Sequence, residues 1–160
     1  MRLIIAAIGK MRAGPEKTLA GDYQDRASAI ARNIGFSGPD ILEFETPAKL
    51  KGAKKRAREG AMLYGAAPPG SVLIRLDERG RNYSSEALAE MLARQRDDGA
   101  GAAAFLIGGA DGHDQSITDR AALSLCFGVA TWPHMLVRVM LMEQLYRAMT
   151  ILTGHPYHRS

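Results

Sequence analysis

Apolar and polar residues along the chain fall into two alternating kinds of run, and the switches between them mark out the elements. Residues 3–8, Leu-Ile-Ile-Ala-Ala-Ile, are continuously apolar over the length of a strand and stop at Gly9-Lys10. Beyond Gly14-Pro15 the apolar positions recur with helical spacing over residues 16–34. Residues 35–40 read as punctuation and residues 41–45 as a short second strand, after which Pro47 opens a basic stretch leading into a helix that ends near Tyr64. Pro68-Pro69-Gly70 closes that unit, residues 71–76 form a third strand, and residues 77–82 read as the loop after it. Ser84 or Ser85 is placed to cap a helix reaching about Arg96. Residues 102–107 are a fourth strand, ending at Gly108-Gly109-Ala110-Asp111-Gly112. A short helix over 116–123, a fifth apolar segment over 125–130 and a last helix with Pro133 in its first turn complete the order.

Strands alternating with helices predict an α/β fold, a mainly parallel sheet with helices on both faces. At 160 residues and 46% hydrophobic content the chain suffices for one domain with a real core, spanning 1–160, and not for two. The last helix adds an expectation about assembly. Its apolar residues Leu136, Val139, Met140, Leu141, Met142, Leu145, Met149 and Leu152 surround it rather than keeping to one stripe. One face then packs on the sheet and another on a second subunit, which predicts a homodimer.

Charge and cysteine usage narrow the partners only a little. The 21 basic and 17 acidic residues leave a formal charge of +4, which favours polyanions but is common among unrelated proteins. A single cysteine, Cys126, excludes an intramolecular disulfide and a cysteine cluster for zinc, and suits a reducing, cytoplasmic setting. The first ten residues lack a cleavage site after their apolar run and read as a strand rather than a leader. Arg138, Glu143 and Arg147 interrupt the apolar stretch of the last helix, so no membrane span is expected.

Ligands of open parallel sheets collect at the carboxyl ends of the strands, so the loops after strands three, four and five should line one cleft. Gly108-Gly109 lets backbone approach a ligand closely, and it is equally a tight turn; the fingerprints of dinucleotide sites and P-loops are absent. Phe127, Gly128, Val129, Ala130, Thr131 and Trp132 suit backbone hydrogen bonds to an aromatic base edge, and by composition are equally a buried strand end. Glu143 and Arg147 have the spacing of a helical ion pair, and the basic stretch of residues 49–58 is a solvated helix face that could add phosphate contacts. The closing segment, with His155, Tyr157, His158 and Arg159, could be a solvated end or a clamp that stacks on an unpaired base and holds phosphate. His155 and His158 have ligand-like spacing but no matching cysteine or carboxylate motif, so no metal is expected.

Taken together, Leu76-Asp77, Ser84-Ser85-Glu86, Ile107-Gly108-Gly109-x-x-Gly112, Thr131-x-Pro133-His134, Arg138, Glu143-x-x-Tyr146-Arg147-Ala148 and His155-Pro156-Tyr157-His158-Arg159 resemble the bacterial ribosomal RNA large-subunit methyltransferase H family nearly end to end. The stretch from Thr131 to Arg159 is the specific part. The resemblance implies a SPOUT fold with a C-terminal trefoil knot, a homodimer, and S-adenosylmethionine as methyl donor. It implies methylation of N3 of a pseudouridine in helix 69 of 23S rRNA within the assembled ribosome. By position, the donor pocket would be Leu76, Gly108 and Phe127 through Trp132. Catalytic or RNA-facing and supporting groups would be Arg138, Glu143, Tyr146, Arg147, His155, Tyr157, His158 and Arg159. Cys126 and Gly128 stand where serine is expected in many relatives. The imide N3–H is a poor nucleophile until its proton leaves, so the chemistry leads us to expect His158 to assist proton removal, Arg159 to stabilise the developing anion and Tyr157 to hold the base. The competing readings are a related SPOUT enzyme acting on tRNA and a non-enzymatic ribosome-binding module.

Overall fold

A computed structural model of the chain describes residues 1–158. Its elements run β1 (Arg2–Ile8), α1 (Pro15–Ala31), a 3-10 turn (Arg32–Ile34), β2 (Ser37–Phe44), α2 (Gly52–Ala66), β3 (Val72–Asn82), α3 (Ser85–Asp97), β4 (Ala102–Ile107), α4 (Gln115–Arg120), β5 (Leu123–Cys126) and α5 (His134–Thr153). The five strands form one parallel sheet in the order β2-β1-β4-β3-β5.

Alternation within the central strands divides the core into two layers. Leu3, Ile5 and Ala7 of β1, with Ala103, Phe105 and Ile107 of β4, face α1, α3 and α5. Ile4, Ala6 and Ile8, with Ala102, Ala104 and Leu106, face Leu63 of α2 and Ile117 of α4. Because both faces are covered, these strands read as unbroken apolar runs rather than as alternating ones. Phe105 and Leu106 are completely buried on opposite faces, each worth about 2 kcal/mol of apolar transfer.

The helix ends follow local chemistry. Pro15 opens α1 at its first turn. Ser84 caps α3, its hydroxyl accepting from the Ala87 amide at 3.1 Å. The left-handed Gly154 closes α5.

Three expectations change. Residues 37–40 belong to β2 rather than to punctuation: β2 is a sheet edge, where Pro39 needs no ladder donor, and a Cβ at Gly38 would lie 2.5 Å from the Leu3 carbonyl oxygen. Residues 77–82 are not simply a loop. β3 pairs with β5 through Leu76, leaves the ladder at Asp77 to Gly80, and rejoins it at Arg81 and Asn82. α4 stops at Arg120, so β5 begins at Leu123, inside the expected helix, and ends at Cys126, which releases residues 127–133 into the loop ahead of α5.

Helix α5 lies between α1 and α3 over the sheet, so its apolar circumference is covered in large part within the chain. Its outward-facing exception is Leu136, which with Trp132 and Val129 leaves exposed apolar surface near the helix start. Among the described residues, no helix is long and apolar enough to cross a membrane.

Candidate active site

The carboxyl ends of β3, β4 and β5 open into a cleft of about 540 Å³, within the range of small-molecule sites. Leu76, Gly108, Phe127, Gly128, Ala130, Thr131 and Trp132 line it; Val129 does not, its side chain being fully exposed. The Asp77–Arg79 excursion of β3, His113, and His134 and Val137 from the start of α5 complete the lining. None of these was singled out as a donor contact from sequence, although Leu76-Asp77 and His134 sat inside the quoted motifs.

The loop after β5 holds itself in shape. The Trp132 indole N–H donates to the Phe127 carbonyl at 3.0 Å, clasping the ends of the segment. Gly128 has φ +92°, a left-handed conformation in which serine would be strained, so this departure from the family pattern has a backbone reason.

The loop after β4 rests on α2. Gly109 and Gly112 form an isolated bridge, and a Cβ added to Gly109 would lie 2.7 Å from Oε2 of Glu59. Glu59 is 2% exposed; its Oε1 accepts from the Thr46 hydroxyl at 2.8 Å, while Oε2 has no partner. Lys55 reaches from α2 to Asp111 at 2.8 Å and to Glu59 at 3.9 Å. The hydrogen bond to Asp111 raises the Lys55 pKa, and the same contact lowers that of Asp111. One residue of the basic stretch is thus tied to the glycine loop instead of standing free on a solvated face.

The closing segment makes a second cluster on the C-terminal half of α5. Glu143 Oε1 accepts from Arg147 Nε at 2.9 Å, from the second terminal guanidinium nitrogen at 2.5 Å, and from the Tyr157 hydroxyl at 3.0 Å. Tyr157 stacks obliquely on Tyr146 with centroids 4.6 Å apart, and the Arg147 guanidinium lies 4.8 Å from the Tyr157 ring centre. Burial, then hydrogen bonding with Tyr23 and Glu143, pushes the Tyr157 pKa well above its ordinary value, so this phenol remains a donor. His158 places Nε2 at 2.7 Å from Glu86 Oε1 and turns Nδ1 toward Arg147 at 3.5 Å. Glu86 was visible only as part of the Ser84-Ser85-Glu86 motif; its own hydrogen-bonded backbone, Ser84 and His158 lower its pKa, in that order. His155 is exposed and accepts from the Tyr157 amide at 3.2 Å. Arg159 lies outside the described residues.

Two expected site residues are interior supports. Arg138 is 1% exposed, donating to Glu43 Oε1 at 2.8 Å and to the Ile8 carbonyl at 2.6 Å, a placement that fits the supporting half of its expected role. It joins α5 to the ends of β1 and β2. Tyr146 is 6% exposed, wedged between Tyr23 and Tyr157.

None of the described residues of the closing segment lines the cleft. His134 is at the cleft and Arg147 at the cluster, thirteen residues along α5, a separation of about 20 Å at 1.5 Å per residue.

The family model described as "Predicted SPOUT methyltransferase" matches residues 1–158. The chain belongs to the SPOUT methyltransferase family. This SPOUT chain is 51% identical over 160 residues to "Ribosomal RNA large subunit methyltransferase H" of Hyphomonas neptunium, covering 100% of both. It is 49% identical to the protein of that name in Xanthobacter autotrophicus, again over 100% of both, and 49% identical to the one in Nitrobacter hamburgensis, over 99% of both.

Proposed function

We propose that the chain methylates N3 of a pseudouridine in helix 69 of 23S rRNA, in the assembled cytoplasmic ribosome, with S-adenosylmethionine as donor. The observation that carries this reading is the cleft at three adjacent strand ends, in a SPOUT chain matched end to end by relatives named for large-subunit rRNA methylation. The trefoil knot implied by the resemblance belongs to the same reading.

The cleft's residues fit the donor. Its size, the bare backbone at Gly108 and Gly109, and the apolar Phe127, Ala130 and Trp132 suit an adenine ring held at its edge. Asp77 and Glu78 also line the cleft, each beside an arginine, Arg75 and Arg79, so their charge is largely balanced there. S-adenosylmethionine, when bound, supplies an electrophilic methyl on its sulfonium sulfur.

The protein's part is to orient the base and move the N3 proton. Tyr157, kept as a phenol, holds and orients the base. With Nε2 donating to Glu86, His158 offers Nδ1 as its basic nitrogen, now turned toward Arg147. Exchanging that arginine for substrate lets His158 accept the N3 proton, with Arg147 and Arg159 available to the imide anion.

The separation along α5 supports a homodimer in which the closing segment of one copy serves the cleft of the other. Exposed Val129, Trp132 and Leu136 beside the cleft supply apolar surface for that contact.

The test is incubation of methylase-deficient ribosomes together with bulk tRNA, the protein and labelled donor, followed by nucleotide mapping. Label at N3 of that pseudouridine is the expected result. Label on tRNA instead, or ribosome binding without transfer, would replace the proposal with one of its two competitors.

A further inference from the structure

We propose that His113 is a positioning residue of the donor cleft, a spacer between the strand ends that carry Leu76 and Gly108, competent only as a neutral ring. The proposal rests on reading this cleft as the donor site. Nε2 of His113 lies 2.9 Å from the Leu76 carbonyl oxygen, which can only accept, so Nε2 carries the hydrogen. In a neutral ring Nδ1 is then bare, and the structure leaves it buried without a partner. The same edge of the ring packs against the next strand end: a Cβ added to Gly108 would lie 3.3 Å from both Cε1 and Nδ1.

Leu76 and Ile107 are direct partners across β3 and β4, so Leu76 and Gly108 are close neighbours at the cleft floor. One imidazole therefore touches both, by a hydrogen bond on one side and by packing on the other. A small residue at position 113 would leave the Leu76 carbonyl without this donor and Gly108 without its backing. A second proton would sit on Nδ1, a buried donor with no acceptor, and would push the ring away from Gly108.

The surroundings agree with a neutral ring. Burial lowers the His113 pKa, against the opposing pull of the Leu76 carbonyl. The facing charges are Arg75 and Asp77 on β3 and Glu59 on α2. Arg75 repels a proton; Asp77 favours one but is paired with Arg75, and Glu59 is shared with Thr46 and Lys55.

Two measurements on the full chain test the spacer. Calorimetry with S-adenosylmethionine should show affinity falling about tenfold in His113→Ala, while His113→Gln, whose amide can still donate to Leu76, stays within about threefold of the unmodified protein. Because burial lowers the His113 pKa, affinity of the unmodified protein should hold as pH falls to about 6.5 and weaken only below it, and the glutamine variant should lose that acid-side fall. Unchanged affinity in a folded His113→Ala, or unchanged pH dependence in His113→Gln, overturns the proposal. Nitrogen NMR of the free protein reads the ring without donor: an Nε2–H tautomer titrating below the ordinary histidine value supports the spacer, and an Nδ1–H tautomer sinks it. A protein with the expected ring signature that binds no donor supports the spacer and overturns the donor reading alone.

Discussion

Glu86, at the start of α3, holds Nε2 of His158 at 2.7 Å across 72 residues of sequence. A carboxylate in that place fixes which ring nitrogen carries the hydrogen and leaves the other as the base. Glu86→Gln keeps the side chain's shape and removes the charge. Single-turnover methylation on ribosomes is expected to slow by about tenfold or more, with donor affinity from calorimetry unchanged. An unaltered rate would show that His158 needs no carboxylate partner.

Mixed dimers test whether the closing segment works across copies. Tyr157→Ala damages the cluster and Gly109→Ala the cleft, so with donor held well below saturation each variant alone should keep about a tenth of normal activity or less. Refolded together in equal amounts, they should recover about a quarter of normal activity, because half the dimers are mixed and each carries one intact pair. No recovery, with mixed dimers shown to form, would place both parts of the site in one chain.

Gly109→Ala is expected to act through Glu59. The added Cβ would meet that buried carboxylate at 2.7 Å, in a place where Thr46 and Lys55 already hold it. The loop, and not α2, should move, so donor affinity drops by about tenfold while the melting temperature shifts by only about 2–4 °C. Calorimetry and thermal unfolding on the same sample separate the two effects.

Arg138→Met removes the cation from a buried ion pair and leaves Glu43 facing only the Met11 amide, at 2.8 Å. The expected cost is about 3 kcal/mol, read in denaturant unfolding. Adding Glu43→Leu should recover most of it. A direct RNA role for Arg138 would instead leave stability intact and weaken ribosome binding.

Tyr157 predicts the alkaline side of the rate profile. Its pKa lies above the ordinary tyrosine value, so its hydroxyl keeps its proton as pH rises through 9 toward 10. Single-turnover rates should therefore show no decline in that range. A decline present in the unmodified protein and absent in Tyr157→Phe would mean that the phenol ionises after all.

What could be read from sequence was whatever depends on neighbours in the chain. β4 was legible to the residue because burial on both faces makes it wholly apolar, and the α3 cap because Ser84 serves an amide three positions on. The donor loops were legible as strand ends, and all but Val129 line the cleft. The excursion of β3 was not, because its return at Arg81 depends on where β5 lies. Arg138 could be read only as an RNA contact or a support, because its partner, Glu43, is 95 positions away on another strand. Glu86 and His113 were missed for the same reason: one short contact each, to residues that sequence spacing cannot bring near.

Helix α5 begins at the cleft and carries the tyrosine–glutamate–arginine cluster on its second half. It therefore works as a ruler. Both sites are engraved on one rigid rod, and side-chain substitutions along it alter their fittings without altering their spacing. Insertion of a single turn between Val137 and Glu143 would slide one mark past the other by about 5.4 Å. The length of this helix is then a requirement in its own right, separate from the side chains it carries.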